Sequence, residues 1–531
     1  MKISSITIKN NSRLPDCTLD VRNNLILVGP NGSGKSSLIR CLDMLLGKSK
    51  QQLYYSINES DFRDAELPLV VEAKLTDLSS DELSFFPDEV DVEDKSITVR
   101  LEASLNDDEL DIRRFCPYGI SGTALSSAQS KIIRWNVISS DFSTSSLIHG
   151  RRNIVDDYLQ KIDTSGDYTK MEEAIDALSS VINDSKAFTD ALSSLAAKLD
   201  STLEGGVTND SLRFIPEAAI DGNLLSDVRL ELKDTSGVMR EVTEQSDGTK
   251  SLISFAIFGL VNSNGIIAID EPETHLHPSA QRNLINVLQS SGRQLVIATH
   301  SGVIASEFNP DNIAVMRGPA SPCQPRNGFL SGQDDQKTLA RWWISSRIEL
   351  LTAKHIIAVE GQSDRMIVER VADLLGLNLK RDGIEILEAG SCTEMPFVWN
   401  IFGAGGFGKH VSILIDQDAE EKTAEKLNIA IDSFASNHIF VSRADLEDEY
   451  VNAIGVDTLC EALEGKGLFS SSTPRRSDTK NGVVNIDNIE LAKFCRGKRN
   501  KISCAMVACS IMDNASAKKV SSVVEVLHDA F

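Results

Sequence analysis

The sequence predicts an α/β protein made of two successive sheet-and-helix units, and three observations carry that expectation. The apolar run Leu25–Val28 enters a glycine-rich loop at 29–36, after which Leu38, Ile39, Leu42 and Leu45 recur at helical spacing. Two further apolar runs, 265–269 and 294–298, each end in a polar cluster, the pattern of strands buried on both faces. A second alternation of apolar runs and helical stretches then brings strands at 356–359, 384–387, 411–415 and 439–441, with a helix at 366–375.

The bulk properties bound this expectation. A chain of 531 residues is long enough for two to four folding units at roughly 100–200 residues each. A hydrophobic fraction of 41% argues against wholesale disorder, and 5% aromatics give no sign of a base-stacking module. With Asp+Glu 77 against Lys+Arg 54, the net charge of -23 excludes a generally basic coat for nucleic acid or membrane. A narrow basic track stays compatible with it, because phosphate affinity depends on where the cations sit. The first residues contain no apolar stretch of signal-peptide length, and no window approaches the roughly 20 apolar residues of a membrane helix. A cytoplasmic protein without membrane contact is expected. Its nine cysteines lack CxxC or zinc-finger spacing and are expected to be reduced and mostly buried.

The remaining elements follow in order. Ile3, Ile6 and Ile8 alternate as a strand, and the stretch from 67 to about 138 is strand-like at 70–75, 97–105, 110–116 and 131–138. Met171, Ala174, Ile175, Leu178 and Ile182, then Phe188, Leu192, Leu195 and Leu199, repeat at three and four. Two amphipathic helices with a break near Asn183 and Asp184 would form a projecting hairpin, serving either core packing or a dimer contact. A β-hairpin signal follows at 227–233 and 238–242, and 312–316 is a further strand. The segment 317–334, rich in Gly, Pro, Ser and Gln, has the composition of a linker, and the helix after it carries Trp342, Trp343 and Ile348.

Two constellations carry chemistry. In the loop after the first buried run, Gly29, Asn31, Gly32, Ser33, Gly34, Lys35, Ser36 and Ser37 form a P-loop pattern. Its glycines let backbone N–H groups turn toward phosphates, Lys35 reaches the terminal phosphates of ATP, and the Ser36 hydroxyl can ligate Mg²⁺. The run 265–269 supplies the second half of such a site through Asp270, suited to the Mg²⁺ shell, and Glu271, suited to orient or deprotonate the attacking water. His300, one strand later, is the candidate γ-phosphate sensor.

The second constellation consists of acids just beyond strand ends: Glu360 and Asp364, Asp416 and Asp418, Asp445 and Glu447. In a parallel sheet such positions converge on one edge. Clustered carboxylates repel one another unless divalent metal lies between them, so Mg²⁺ or Mn²⁺ is expected, and two such ions suit in-line attack on a phosphodiester. Lys498 and Lys501 are candidates for the cation beside the cleaved phosphate, with Lys501 preferred because it abuts the helical stretch 502–511. Arg475, Arg476, Arg496, Lys498 and Arg499 are the candidate contacts to a nucleic-acid backbone.

The motif at 29–36, the segment from Asp270 through Pro278 and the triplet Thr299, His300, Ser301 resemble the ABC-type ATPase heads of the structural-maintenance and repair families. That resemblance implies that Ser246 and Gly248, within Ser246-Asp247-Gly248-Thr249-Lys250, are the signature element approaching the opposite γ-phosphate, although the segment departs from the LSGGQ form. It also implies D-loop positions for His275 and His277, and a Q-loop near 58–62, where no glutamine stands. The ordered acids resemble the Toprim domain of topoisomerases, primases and related nucleases. There the glutamate after the first strand matches Glu360 and the DxD after the third matches Asp416 and Asp418. Asp364, Asp445 and Glu447 match further acids of the nuclease branch.

Head and Toprim in one chain resemble the OLD (overcoming lysogenization defect) family nucleases. The implied architecture is an ABC-type P-loop ATPase head at 1–320 with a helical dimerisation arm inserted at about 150–210, a linker and connecting helix at 321–350, and a Toprim α/β domain with C-terminal helices at 351–531. The implied activity is ATP hydrolysis coupled to metal-dependent cutting of DNA in bacterial anti-phage defence, by a homodimer or higher homo-oligomer joined through the ATPase domain. A reverse transcriptase with retron DNA, or a helicase, is a candidate defence partner. Two alternatives stay open at this point: an ATP-dependent sensor or scaffold with an inactive or partner-activated Toprim domain, and a nuclease directed at RNA or tRNA.

Overall fold

The computed structural model describes residues 1–138 (except 92, 107–108 and 119–123), 159, 161, 168–193 (except 188, 191 and 192), 230–233, 239–261, 265–468 and 486–531. It falls into two compact units, one made of Met1–Trp135, Ala268–Glu271 and Gln294–Phe531, the other of Asn136–Ile267 and Pro272–Arg293.

The first unit opens with strands β1 (Lys2–Lys9), β2 (Cys17–Asp20), β3 (Leu25–Val28), β4 (Leu69–Thr76), β5 (Val90–Asp91), β6 (Ser96–Asn106) and β7 (Glu109–Phe115). All but β3 form an antiparallel sheet in the order β2-β1-β4-β6-β5, with β7 also on β6. Its core face is legible along β4, where Leu69, Val71, Ala73 and Leu75 alternate inward.

Further along the chain come β8 (Trp135–Ile138), β9 (Glu231–Lys233), β10 (Met239–Glu241), β11 (Ile266–Asp270), β12 (Gln294–Thr299), β13 (Ile313–Arg317) and β14 (Ala320–Cys323). In the second sheet β3 lies between β13 and β12, parallel to both, and all four of its residues are buried. Val28 pairs with Thr299 on one side and Val315 on the other, so the loop after β3 and the segment after β12 leave the sheet at the same edge. The Glu271 amide donates to the Ala298 carbonyl at 2.9 Å, which brings the end of β11 to that edge too.

The C-terminal sheet comprises β15 (His355–Val359), β16 (Ile384–Glu388), β17 (His410–Asp416) and β18 (Ile439–Ser442) in the order β16-β15-β17-β18, parallel throughout. The helices Gln362–Leu374 and Ser521–Ala530 pack on it, and Lys501–Ile511 packs against Gln362–Leu374, around Ile357, Ile367, Val371, Ala505 and Val526. In the second unit, β9 and β10 form the expected hairpin, and the helix Asp247–Val261 packs with Pro278–Ser290.

Two local expectations change. The stretch 131–138 is not one strand: Ser126 and Gln129 form a reciprocal capping box that starts the helix Ser127–Ile133, and Arg134 at φ 49 ends it before β8. The segment 317–334 is not all linker, because a turn at Gly318 (φ 69) folds Ala320–Cys323 back as β14 against β13. The helix Tyr168–Asp184 ends where the break near Asn183 and Asp184 is expected, while 188–199 lies largely outside the described residues. All nine cysteines are free, and Cys41, Cys116, Cys460, Cys495 and Cys504 are buried.

Candidate functional site

The sheet edge beyond β3, β11 and β12 builds the first site. Gly32 (φ 74) and Gly34 (φ 100) occupy left-handed backbone, and a Cβ on Gly34 would lie 2.4 Å from Leu14 Cδ2, so the loop needs glycine there for two reasons. Lys35 is buried, with its ammonium donating to the carbonyls of Gly29 at 2.9 Å and Pro30 at 3.0 Å across the loop. The Ser36 hydroxyl donates to Asp270 Oδ1 at 3.1 Å, which joins the two halves of the expected Mg²⁺ shell. Burial raises the Asp270 pKa against the lowering effect of that hydroxyl, and the neighbouring Glu271 adds to the rise.

Glu271 adopts φ 52, rare for a residue with a side chain, and its Oε1 lies 3.7 Å from His300 Nε2. Asn31, Gly32, Ser33, Ser37, Glu271 and His300 share the lining of one cleft of about 770 Å³. The Ser33 hydroxyl is buried without a hydrogen-bond partner among the described residues. The cleft also presents Arg13 and Arg63, which sequence reasoning missed; they sit on the turn after β1 and on the loop before β4, and no motif marks either. The region 58–62 holds a turn in which Asp61 pairs with Arg40 rather than a glutamine aimed at the cleft.

Ser246 and Gly248 belong to the other unit. Ser246 Oγ accepts from the Thr249 amide at 3.3 Å at the start of the helix Asp247–Val261, and Lys250 pairs with Asp247 at 3.2 Å. A Cβ on Gly248 would lie 3.0 Å from the His275 carbonyl oxygen, so the segment 246–250 packs against the segment that holds His275 and His277.

The second site forms at the C-terminal edge of the sheet β16-β15-β17-β18. Glu360 follows β15, Asp416 ends β17, and Asp364 lies in the first turn of the helix after Gly361. Asp364 is buried; its Oδ2 accepts from the Gly361 amide at 3.0 Å and its Oδ1 from Ser363 Oγ at 2.9 Å. Asp416 Oδ1 accepts from the Leu446 amide at 3.2 Å, tying β17 to the helix Leu446–Ile454. Glu447, on that helix, is 1% exposed, and its Oε2 has no hydrogen-bond partner among the described residues. Lys501, at the start of its helix, points into the acids, 3.7 Å from Asp364 Oδ1 and 3.6 Å from Glu447 Oε1.

The electrostatics are those of a crowded anionic pocket. Burial, then Asp364 and Glu447, push Asp416 up to about 8. Burial pushes Glu447 up to about 7, with Asp445 and Asp364 adding to it against Lys501, and it raises Glu360. Burial opposes the Lys501 charge, but Asp364, Glu447 and Asp416 outweigh it and raise its pKa. A carboxylate with an unsatisfied buried oxygen beside two acids whose ionisation burial opposes fits an oxygen-ligated divalent cation, with Glu360, Asp364, Asp416 and Glu447 as the donors at hand and exposed Asp418 at the rim.

Other expected residues stand differently. Asp445 caps the helix Leu446–Ile454 through the Asp448 amide at 2.9 Å, and its other oxygen pairs with Arg496, which leaves it the least available ligand of the set. Arg496 also pairs with Asp448 at 2.6 Å, so a nucleic-acid phosphate would have to compete with two acids for it. Lys498 and Arg499 are exposed on the turn before Lys501. Arg475 and Arg476 lie outside the described residues.

Comparison with known families places both halves. Residues 25–306, more than half of the chain, match the family described as "AAA domain, putative AbiEii toxin, Type IV TA system". The chain belongs to that family. Residues 351–418 match the model of the "Overcoming lysogenization defect protein-like, TOPRIM domain", so an ATPase domain is followed by an OLD-like Toprim domain. The chain is 24% identical over 434 residues to the Old nuclease of Escherichia phage P2, covering 69% of each chain. It is 23% identical over 467 residues to the endonuclease GajA of Bacillus cereus (strain VD045), covering 80% of this chain and 76% of that one. Among solved structures it is similar to the C-terminal region of the Burkholderia pseudomallei OLD protein, at 18% identity and a TM-score of 0.28, over 34% of this chain and 97% of that one. No helix among the described residues is long and apolar enough to cross a membrane.

Proposed function

We propose that this chain is an ATP-binding and ATP-hydrolysing, divalent-metal-dependent endonuclease that cuts DNA in bacterial anti-phage defence in the cytoplasm. The observation that carries the reading is Lys501 standing 3.7 Å from Asp364 and 3.6 Å from Glu447 at the Toprim edge, a cation among acids of which one keeps an unsatisfied buried oxygen. Nuclease relatives over most of the chain support it.

In the ATPase domain, Lys35 and the loop amides of 31–37 hold the phosphates, and Ser36 with Asp270 hold Mg²⁺. Glu271 orients and deprotonates the attacking water, with His300 beside it reporting the terminal phosphate. Assembly into a homodimer or higher homo-oligomer through the ATPase domain would bring Ser246 and Gly248 of one copy to the nucleotide of another. In the Toprim domain, Glu360, Asp364, Asp416, Asp418 and Glu447 hold Mg²⁺ or Mn²⁺, which when bound polarises the phosphodiester and ionises water. Lys501 offsets charge on the phosphate under attack, and the exposed Lys498 and Arg499 contact the backbone. Asp445 and Arg496 position the helix that carries Glu447.

The test is incubation of the full chain with supercoiled DNA, linear DNA and total RNA, with and without Mg²⁺ and ATP. Metal-dependent DNA cleavage, abolished by the double substitution Asp416→Ala and Asp418→Ala with ATP binding retained, is the expected result. Cleavage by the double variant would sink the assignment, and cleavage of RNA alone would move the target.

A further inference from the structure

The Toprim sheet carries a second group of ligating side chains, at the edge away from the acids. His355 and His410 are the first residues of β15 and β17, and His438 directly precedes β18. These strands are parallel, so the three imidazoles lie together at the N-terminal edge, while Glu360 and Asp416 lie where the same strands end. The C-terminal helix Ser521–Ala530 brings Asp529 to the imidazoles.

We propose that His410, His438 and Asp529 form a transition-metal site, with Zn²⁺ as its occupant, that fastens the C-terminal helix to the Toprim sheet. The ligand atoms of the three residues all lie within 4.8 Å of one another. His438 Nδ1 is 2.7 Å from Asp529 Oδ1, and His410 Nε2 is 3.1 Å from His438 Nδ1. Nitrogens sharing a tetrahedral Zn²⁺ at roughly 2.0–2.1 Å stand about 3.3 Å apart, so a small ring rotation seats the ion. Two imidazoles and one carboxylate form a donor set suited to zinc, whereas Mg²⁺ prefers an all-oxygen shell.

The surroundings support ligation over a lone ion pair. Ser412 Oγ donates to Asp529 Oδ2, and the buried His355 holds Ser412 Oγ at 2.6 Å, so the carboxylate is oriented from behind with Oδ1 toward His438. Outer hydrogen bonds of this kind are what aims a metal-binding group. His438 sits at φ 59, a conformation that costs a residue with a side chain, and His410 is exposed, which gives an ion an entry path. The residues lie 28 and 91 positions apart, so no local spacing announces them.

The test uses the full chain, stripped with chelator and kept in reductant, and reads zinc content and thermal midpoint rather than cleavage, so failure of the nuclease reading leaves it separable. After reloading with Zn²⁺ and removal of free metal, the parent is expected to bind one more equivalent of Zn²⁺ than the His410→Ala, His438→Ala double variant, with millimolar Mg²⁺ present to fill the acidic site. Its midpoint should rise by several degrees on Zn²⁺ addition, and that rise should vanish in the double variant. Asp529→Asn should weaken Zn²⁺ binding at least tenfold. Should the double variant not fold, His410→Gln, at an exposed position, gives the same readout. Equal zinc content and equal midpoint shifts in parent and variants overturn the proposal.

Discussion

Lys501 Nζ lies 3.6 Å from Glu447 Oε1, and the other oxygen of that carboxylate is buried without a partner among the described residues. The pair supports Lys501, which the sequence already favours over Lys498. Lys501→Ala should lower DNA cleavage by roughly 10²–10³-fold, the usual cost of removing one charge-stabilising donor, while ATP hydrolysis stays unchanged. Lys498→Ala, at an exposed turn position, should weaken DNA binding most at low salt and flatten its salt dependence. Nicking rates at saturating DNA and equilibrium DNA binding across a salt series separate the two roles, and a Lys498 variant with the larger loss of rate at saturating DNA would reverse the assignment.

The acidic pocket makes the metal-free protein sensitive to pH. Asp416 and Glu447 are raised from ordinary values of 3.8 and 4.5 to about 8 and about 7. The folded chain therefore holds more protons than the unfolded one between about 4 and 8, and their contribution to stability is lost as pH rises through that window. In chelator, the thermal midpoint of the parent should fall relative to that of Asp416→Asn from pH 5 to pH 8.5. Mg²⁺ should flatten the difference. A parent-minus-variant difference that grows with pH would contradict the burial argument.

The proposed mechanism assigns hydrolysis to Glu271 and nucleotide binding to Lys35. Glu271→Gln keeps the size and loses the base, so nucleotide affinity should survive while turnover drops by roughly 10²–10⁴-fold. Lys35→Ala should abolish nucleotide binding. Equilibrium binding of a fluorescent ATP analogue and phosphate release separate the two, and full turnover in Glu271→Gln would remove it from the chemistry.

Gly34→Ala tests the loop geometry without touching charge. At φ 100, with Leu14 Cδ2 only 2.4 Å from the new carbon, the substitution should destabilise the phosphate-binding conformation by about 1–3 kcal/mol. That corresponds to roughly a fivefold to more than a hundredfold loss of ATP affinity, measured by titration. Gly32→Ala meets no atom within 4 Å, so its cost should come from its φ of 74 alone. Unchanged ATP affinity in Gly34→Ala would mean that Leu14 and the loop yield.

The sequence by itself determined the α/β class, the P-loop after a buried strand, and the order of acids beyond the C-terminal strands. Each of these is a local pattern: a four-residue apolar run closed by glycines, or a carboxylate where such a run stops. Its failures are local too: capping at Ser126 and a turn at Gly318 redirect segments whose hydrophobic pattern alone says strand or linker. Only the tertiary structure decided which residues share a site. It separated Asp445, spent on a helix cap and Arg496, from Glu447, turned inward with an oxygen to spare. It brought Arg13 and Arg63 to the nucleotide cleft and His410, His438 and Asp529 to one edge. The physical reason is that electrostatic and ligand interactions depend on separations of a few ångströms, and for residues tens to hundreds of positions apart the packing of helices on sheets sets those separations.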